Sequence, residues 1–193
     1  MVDVVGAACA LLALSPVLAV LALIVKRHDG GPVLTAQERT GLDGLPFTML
    51  NFRSVAPDVE ECRAALRARS ASQERALLLM RSGPRVTGPG TWMRRHGLDQ
   101  LPQLVNVLRG EMSLVGPRPP LPSEEIRYDE HVRRRLRLRP GITGPWQVPG
   151  LDDSDREQAV RLDLHYVETW SPVQDLLILL RTVKAMVARE GAY

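Results

Sequence analysis

The chain has 193 residues, 25 Lys and Arg against 22 Asp and Glu, a formal net charge of +3 and 45% hydrophobic residues. That is enough for one sizeable core and little else. Two scattered cysteines, Cys9 and Cys62, exclude a disulfide framework, and His28, His96, His131 and His165 show no metal-ligand spacing.

Residues 4–25 carry no charge, are rich in Val, Ala and Leu, and are followed at once by Lys26, Arg27 and His28. Twenty-two such residues are long enough to span about 30 Å of hydrocarbon as a helix. A basic n-region and a small-residue cleavage site are both missing, which argues against a signal peptide. The basic exit predicts that the following chain faces the cytoplasm. Ser15-Pro16 interrupts the middle, and proline removes one helical bond, so a break or kink is expected there. A kinked spanning helix and a hairpin that dips in and returns are both compatible with that pattern.

Turn residues Asp29-Gly30-Gly31-Pro32 lead to a predicted strand at Val33–Ala36, then Gly41-Leu42-Asp43-Gly44 and a second extended piece at Phe47–Phe52. Residues 56–83 mix Ala, Arg and Glu and read as an exposed, variable connector. After Gly88-Pro89-Gly90 comes Trp92-Met93-Arg94-Arg95-His96. Leu101, Leu104, Val105 and Leu108 then fall at i, i+3, i+4 and i+7, which predicts a helix with that face buried. Asp99 fits its N-cap, where helical N–H groups and the dipole favour the ionised carboxylate, and Gly110 fits its end. A further helix is expected from Ser123 toward residues 131–139, HVRRRLRLR, whose five arginines read as a solvated or anion-facing surface. No nucleic-acid reader motif accompanies them, so no nucleic acid is expected; anionic membrane lipids or a phosphorylated substrate suit them. Pro140–Gly144 reads as a tight turn. Ser171, Pro172 and Gln174 form a capping start for a last, very apolar helix, suited to a membrane interface or to packing on the N-terminal segment.

On residue chemistry alone, Asp99 is either a helix cap or a reactive carboxylate. Arg118 sits in Gly116-Pro117-Arg118-Pro119, where flanking prolines limit backbone freedom. Arginine beside a carboxylate suits phosphate chemistry.

Three runs in order, Leu98-Asp99-Gln100-Leu101-Pro102-Gln103-Leu104, Gly116-Pro117-Arg118-Pro119 and Pro140-Gly141-Ile142-Thr143-Gly144, resemble the bacterial sugar transferase family of small monotopic polyprenyl-phosphate phosphoglycosyl transferases. Gly31-Pro32-Val33 with Gln37, Arg39 and Gly41, and Asp163 with Tyr166, extend the likeness over nearly the whole chain. The resemblance implies an α+β, mostly helical fold. A re-entrant membrane helix-break-helix at residues 1–28 would precede a cytoplasmic catalytic domain at 29–193 with short strands and interface helices. It implies transfer of a sugar 1-phosphate from a nucleotide sugar, UDP-linked by expectation, to undecaprenyl (polyprenyl) phosphate at the bacterial inner membrane. UMP would be released and glycan synthesis initiated.

Carried over residue by residue, Asp99 would be the nucleophile that forms a phosphosugar intermediate, with Arg94 and Arg118 on the phosphates. Arg53, Arg139 and Asp163 would contact substrate. Mg²⁺ is the implied cofactor. The family has Glu where this chain has Gln100, leaving Gln100 as a weak ligand with Asp163 or Glu111 to supply charge. Asn51 replaces a family lysine, Trp146 stands one place later than the family tryptophan, and the chain begins at Met1-Val2 where basic residues precede the family aspartate matched by Asp3, as a truncated start would. These departures keep a second expectation open, a non-catalytic membrane scaffold or regulator of glycan assembly. A homo-oligomer or contact with other glycan-assembly enzymes is compatible with either.

Overall fold

The computed structural model describes residues 2–54, 88–147 and 156–188. The expected connector at 56–83 and Cys62 lie outside the described residues. Helices dominate what is described, with two small two-stranded sheets between them.

Helix α1 (Val2–Asp29) continues through Ser15-Pro16, so the expected break in the helix is corrected. Pro16 withholds the N–H that would bond the Leu12 carbonyl. The Ser15 hydroxyl donates to that same carbonyl at 2.9 Å, and the helix carries on. Both halves of α1 pack on the rest of the chain. Ala7, Ala10 and Leu11 join Met49, Leu104, Val107 and Met112, while Leu18, Leu21, Ala22 and Val25 join Phe52 and Met93. Near the start, Asp3 Oδ1 accepts from the Leu114 N–H at 3.4 Å. Val2, Val5, Leu12, Val20 and Leu23 stay at least half exposed. Among the described residues this is the one helix long and apolar enough to cross a membrane.

Strands β1 (Leu34–Thr40) and β2 (Pro46–Phe52) form an antiparallel hairpin, longer than the sequence predicts, in register Leu34↔Phe52 through Thr40↔Pro46. Asp43 at φ 54 and Gly44 at φ 81 take the left-handed conformations its turn requires.

Helix α2 (Gly88–Arg95) is followed by a single 3₁₀ turn at Leu98–Gln100 and then helix α3 (Gln103–Leu108). The helix expected from Asp99 is thus split. Pro102 has no N–H to bond the Leu98 carbonyl, and the chain closes a tighter Leu101-to-Leu98 bond instead. The buried face shifts with it. Gln103, Leu104, Asn106 and Val107 are buried and Leu108 is exposed. Asn106 is satisfied by the Leu50 N–H, the Thr48 carbonyl and Glu111, which stitches α3 to β2.

Strand β3 (Ser113–Val115), which the sequence reading missed, pairs in parallel with β4 (Gly141–Thr143), where a tight turn was expected. Between them the expected single helix is two short ones, α4 (Pro122–Glu125) and α5 (Glu130–Arg133), because Asp129 caps a new start by accepting from the Val132 N–H at 2.7 Å. A 3₁₀ turn at Arg134–Arg137 follows. Helix α6 (Arg156–Thr169) leads to α7 (Pro172–Ala188), whose cap is as expected: the Ser171 hydroxyl accepts from the Gln174 N–H at 3.3 Å. Helix α7 buries Ile178 against Val115 and Tyr166, and leaves Val173, Leu176, Leu180 and Val183 exposed.

Candidate active site

The pleat of the β-hairpin builds one wall of a cavity. Side chains two apart on a strand share a face, so Gln37 and Arg39 of β1 stand beside Met49 and Asn51 of β2, with Gln37 opposite Met49. These four, with Asp99, Gln100, Gln103, Arg118, Pro119, Gly141, Ile142 and Trp146, line a cavity of about 180 Å³. Gln103 Nε2 donates to Asn51 Oδ1 at 2.6 Å, and Arg39 Nη2 donates to Gln37 Oε1 at 2.9 Å. Apart from its arginines and one carboxylate, the polar lining is amide and indole.

Asp99 is that carboxylate. It lies in the 3₁₀ turn at Leu98–Gln100, not at the N-cap of α3, and the expectation of a carboxylate favoured in its ionised form is corrected. Burial raises its pKa from the usual 3.8, against the pull of Arg94 and of the backbone N–H groups of Asp99 and Gln100. Its Oδ1 is buried with no hydrogen-bond partner in the protein. A buried acceptor with no partner is costly, and such atoms concentrate where a ligand completes the site. The indole Nε1 of Trp146, on the same cavity, is a buried donor in the same position.

Arg118 reaches the cavity from the loop between β3 and α4. Its backbone approaches β4 so closely that side chains are excluded. A Cβ on Gly141 would stand 2.1 Å from the Gly116 nitrogen, and one on Gly116 would stand 2.4 Å from the Arg139 carbonyl oxygen. Main-chain bonds from Gly116 to Thr143 and from Gly141 to Pro117, 2.9 and 3.0 Å long, close the contact. The Gly-Pro-Arg-Pro and Pro-Gly-Ile-Thr-Gly runs are therefore two halves of one backbone junction. From the hairpin side, Arg39 Nη1 donates to the Pro119 carbonyl at 3.1 Å, and the Thr40 N–H donates to that of Pro120 at 3.0 Å. Burial and the neighbouring Arg118 lower the pKa of Arg39, so two guanidinium groups share this wall.

The structure brings Asp99, Gln100 and Arg118 to one cavity. Arg94 stands close enough to Asp99 to act on its charge, but it does not line the cavity, and its Nε donates to Ser54 Oγ at 2.9 Å. Arg53 is buried against Gly31 and is not among the residues that line the cavity. Arg139 is exposed and also off the cavity lining. Asp163 is fully buried on α6 and ion-paired with Arg135, so it is neither open to substrate nor placed to hold a metal. Burial pushes its pKa up to about 6 although Arg135 pulls it down. Glu111 spends its Oε2 on Asn106 at 2.7 Å, likewise outside the cavity. Among the described residues no three His, Cys, Asp or Glu side chains converge as a metal cluster. The arginine block is not a uniform solvated face either, since Arg135 is buried while Arg134 makes an exposed pair with Glu168. Sequence reasoning missed Gln37, Arg39 and Gln103 as cavity residues; the alternation Thr35, Gln37, Arg39 was the available signal.

One desolvated carboxylate beside two guanidinium groups is an arrangement suited to phosphate chemistry. The sequence pattern of bacterial sugar transferases matches residues 1–189, and the chain belongs to that family. It is similar to the exopolysaccharide production protein ExoY of Sinorhizobium fredii, at 39% identity over 99% of this chain and 86% of that protein. It is also similar to the undecaprenyl-phosphate galactose phosphotransferase of Salmonella typhimurium, at 40% identity over 99% of this chain but 40% of that longer protein. The UDP-glucose:undecaprenyl-phosphate glucose-1-phosphate transferase of Caulobacter vibrioides is 37% identical over 99% of this chain and 70% of its own length. The chain is a transferase.

Proposed function

We propose that this protein transfers a sugar 1-phosphate from a UDP-sugar to a polyprenyl phosphate at the cytoplasmic face of the membrane, initiating exopolysaccharide synthesis. The observation that carries the reading is the meeting of Asp99 with Arg39 and Arg118 in one cavity. The printed activities of the Salmonella and Caulobacter relatives supply the substrate classes.

In the first step a carboxylate oxygen of Asp99 bonds to the sugar-bearing phosphorus. The anhydride bond to the other phosphorus breaks, and UMP leaves with the electron pair. In the second, an oxygen of polyprenyl phosphate bonds to the same phosphorus, the bond to Asp99 breaks, and the carboxylate is regenerated. Splitting the transfer in two lets a single cavity serve both substrates in turn. Arg118 and Arg39 stabilise charge on the phosphoryl oxygens, and a partly desolvated site strengthens that interaction.

The lining fits Mg²⁺ in a particular way. Mg²⁺ accepts one or two protein oxygens and fills its shell with water and substrate phosphate. The partnerless Oδ1 of Asp99 would hold it here, with the Gln100 side chain beside it on the same cavity wall. Bound there with the donor, it would add a Lewis acid on the pyrophosphate.

We read α1 as monotopic. Both halves of it pack against the catalytic part, which therefore flanks its whole length and leaves one apolar face for lipid. A helix crossing the bilayer would carry that packed domain into hydrocarbon with it.

The test is incubation of the membrane-embedded protein with polyprenyl phosphate, Mg²⁺ and a panel of labelled UDP-sugars. Release of UMP with label in the lipid fraction, lost in Asp99→Asn, supports the proposal. No transfer from any donor favours the scaffold reading that Gln100 raised.

A further inference from the structure

We propose that the buried Arg135–Asp163 pair is a positioning device that sets Arg118 for phosphate binding by holding both of its peptide groups. The proposal rests on the reading of Arg118 given above. Neither partner lines the cavity, so any effect on transfer must run through another residue.

The geometry names that residue. The Arg118 N–H donates to Asp163 Oδ2 at 3.2 Å, and the Arg118 carbonyl accepts from Arg135 Nη2 at 3.4 Å. The same Nη2 donates to Asp163 Oδ2, closing the ring. Arg135 is itself fixed, since Nη1 donates to the Tyr128 hydroxyl at 3.1 Å and the guanidinium lies 5.7 Å from the centre of the Tyr128 ring. The rest of the loop is held by other parts of the fold: Gly116 and Pro117 by β4, Pro119 by Arg39, and Pro120 by Thr40. Arg118 is the position whose N–H and carbonyl are both taken by one ion pair. Burying two charges is a poor source of net stability. Its value lies in a fixed loop, because small displacements of a group that meets the reacting centre cost large factors in rate.

The experiment compares the full-length chain in membranes with Asp163→Asn and Arg135→Lys, each also combined with Arg118→Lys. Arg135→Lys keeps a positive charge but cannot reach three acceptors at once, and it stands in should Asp163→Asn fail to fold. With intact Arg118, either change should lower kcat by about 10- to 100-fold, with a much smaller effect on donor KM. In the Arg118→Lys background the same change should cost no more than about twofold. Equal losses in both backgrounds would overturn the proposal, since a scaffold defect is indifferent to residue 118. Amide exchange supplies a readout free of turnover. The Arg118 amide, flanked by prolines that carry no N–H, should exchange at least about tenfold faster in either variant while α1 and α3 keep their protection. Unchanged exchange at the Arg118 amide would also overturn it. If the parent transfers no sugar phosphate from any donor, the functional reading falls, and the exchange data alone decide whether the pair holds the loop.

Discussion

Asp99 is the residue on which most of the account rests, and its surroundings work against its charge. Burial raises its pKa, so the ionised form that would attack phosphorus is gained as pH rises. Initial transfer rates should climb with pH on the acid side, and a flat profile there would remove Asp99 from the rate-limiting chemistry. Since Asp99 caps no helix, Asp99→Asn removes a desolvated charge without removing a cap. We expect an unchanged or slightly raised melting temperature together with loss of transfer. Asp163 follows the same direction more strongly, from 3.8 to about 6. A carboxyl raised on folding contributes stability that is complete below its unfolded pKa and is lost as pH rises through the folded one. Melting of the parent relative to Asp163→Asn should therefore lose advantage between pH 4 and pH 6, by at most about 1.4 kcal/mol per pH unit. Gln100 gives a prediction that depends on metal. Gln100→Glu should lower the Mg²⁺ concentration for half-maximal rate, because a carboxylate replaces an amide beside the pyrophosphate. At very low Mg²⁺ the added negative charge should slow the reaction. Superimposable Mg²⁺ titrations of the two proteins would show that residue 100 does not meet the ion.

At the scale of elements, legibility followed sequence separation. The hairpin strands and the cap at Ser171 could be read from local pattern. Pro102 falls inside the predicted helix, and its missing N–H divided that helix and moved burial from Leu108 to Val107 and Asn106. The parallel pairing of β3 with β4 was invisible because each strand is three residues long and its partner lies 28 positions away. The pairing of Arg135 with Asp163 was hidden for the same reason, in a block whose composition suggested solvent. The glycine junction gives this scale its prediction. Gly141→Ala places a methyl group against the Gly116 backbone, which cannot yield as a side-chain tip would. Overpacking of this kind costs roughly 1–3 kcal/mol. We expect a lower melting temperature and reduced transfer, whereas an unaffected protein would mean the two runs do not meet.

Across the whole molecule, α1 is a wall of the core and, in the reading proposed above, also its membrane anchor. It contributes Ala7, Leu21 and Val25 to the core, and its far side stays apolar and exposed. The exposed stripe of α7 adds a second apolar surface next to β3 and β4. A cysteine added before Met1 should therefore be labelled from the cytoplasmic face, and labelling from the outer face alone would establish a spanning α1. Covalent transfer through Asp99, in the cavity it shares with Arg118 and Arg39, can be caught by mass spectrometry of the protein and its peptides. The protein would be incubated with a UDP-sugar it turns over, without polyprenyl phosphate, and then digested. Covalent transfer through Asp99 requires a mass increase of one sugar phosphate on the peptide containing it, discharged when polyprenyl phosphate is added. Turnover with no adduct, or with the adduct on another residue, would contradict it.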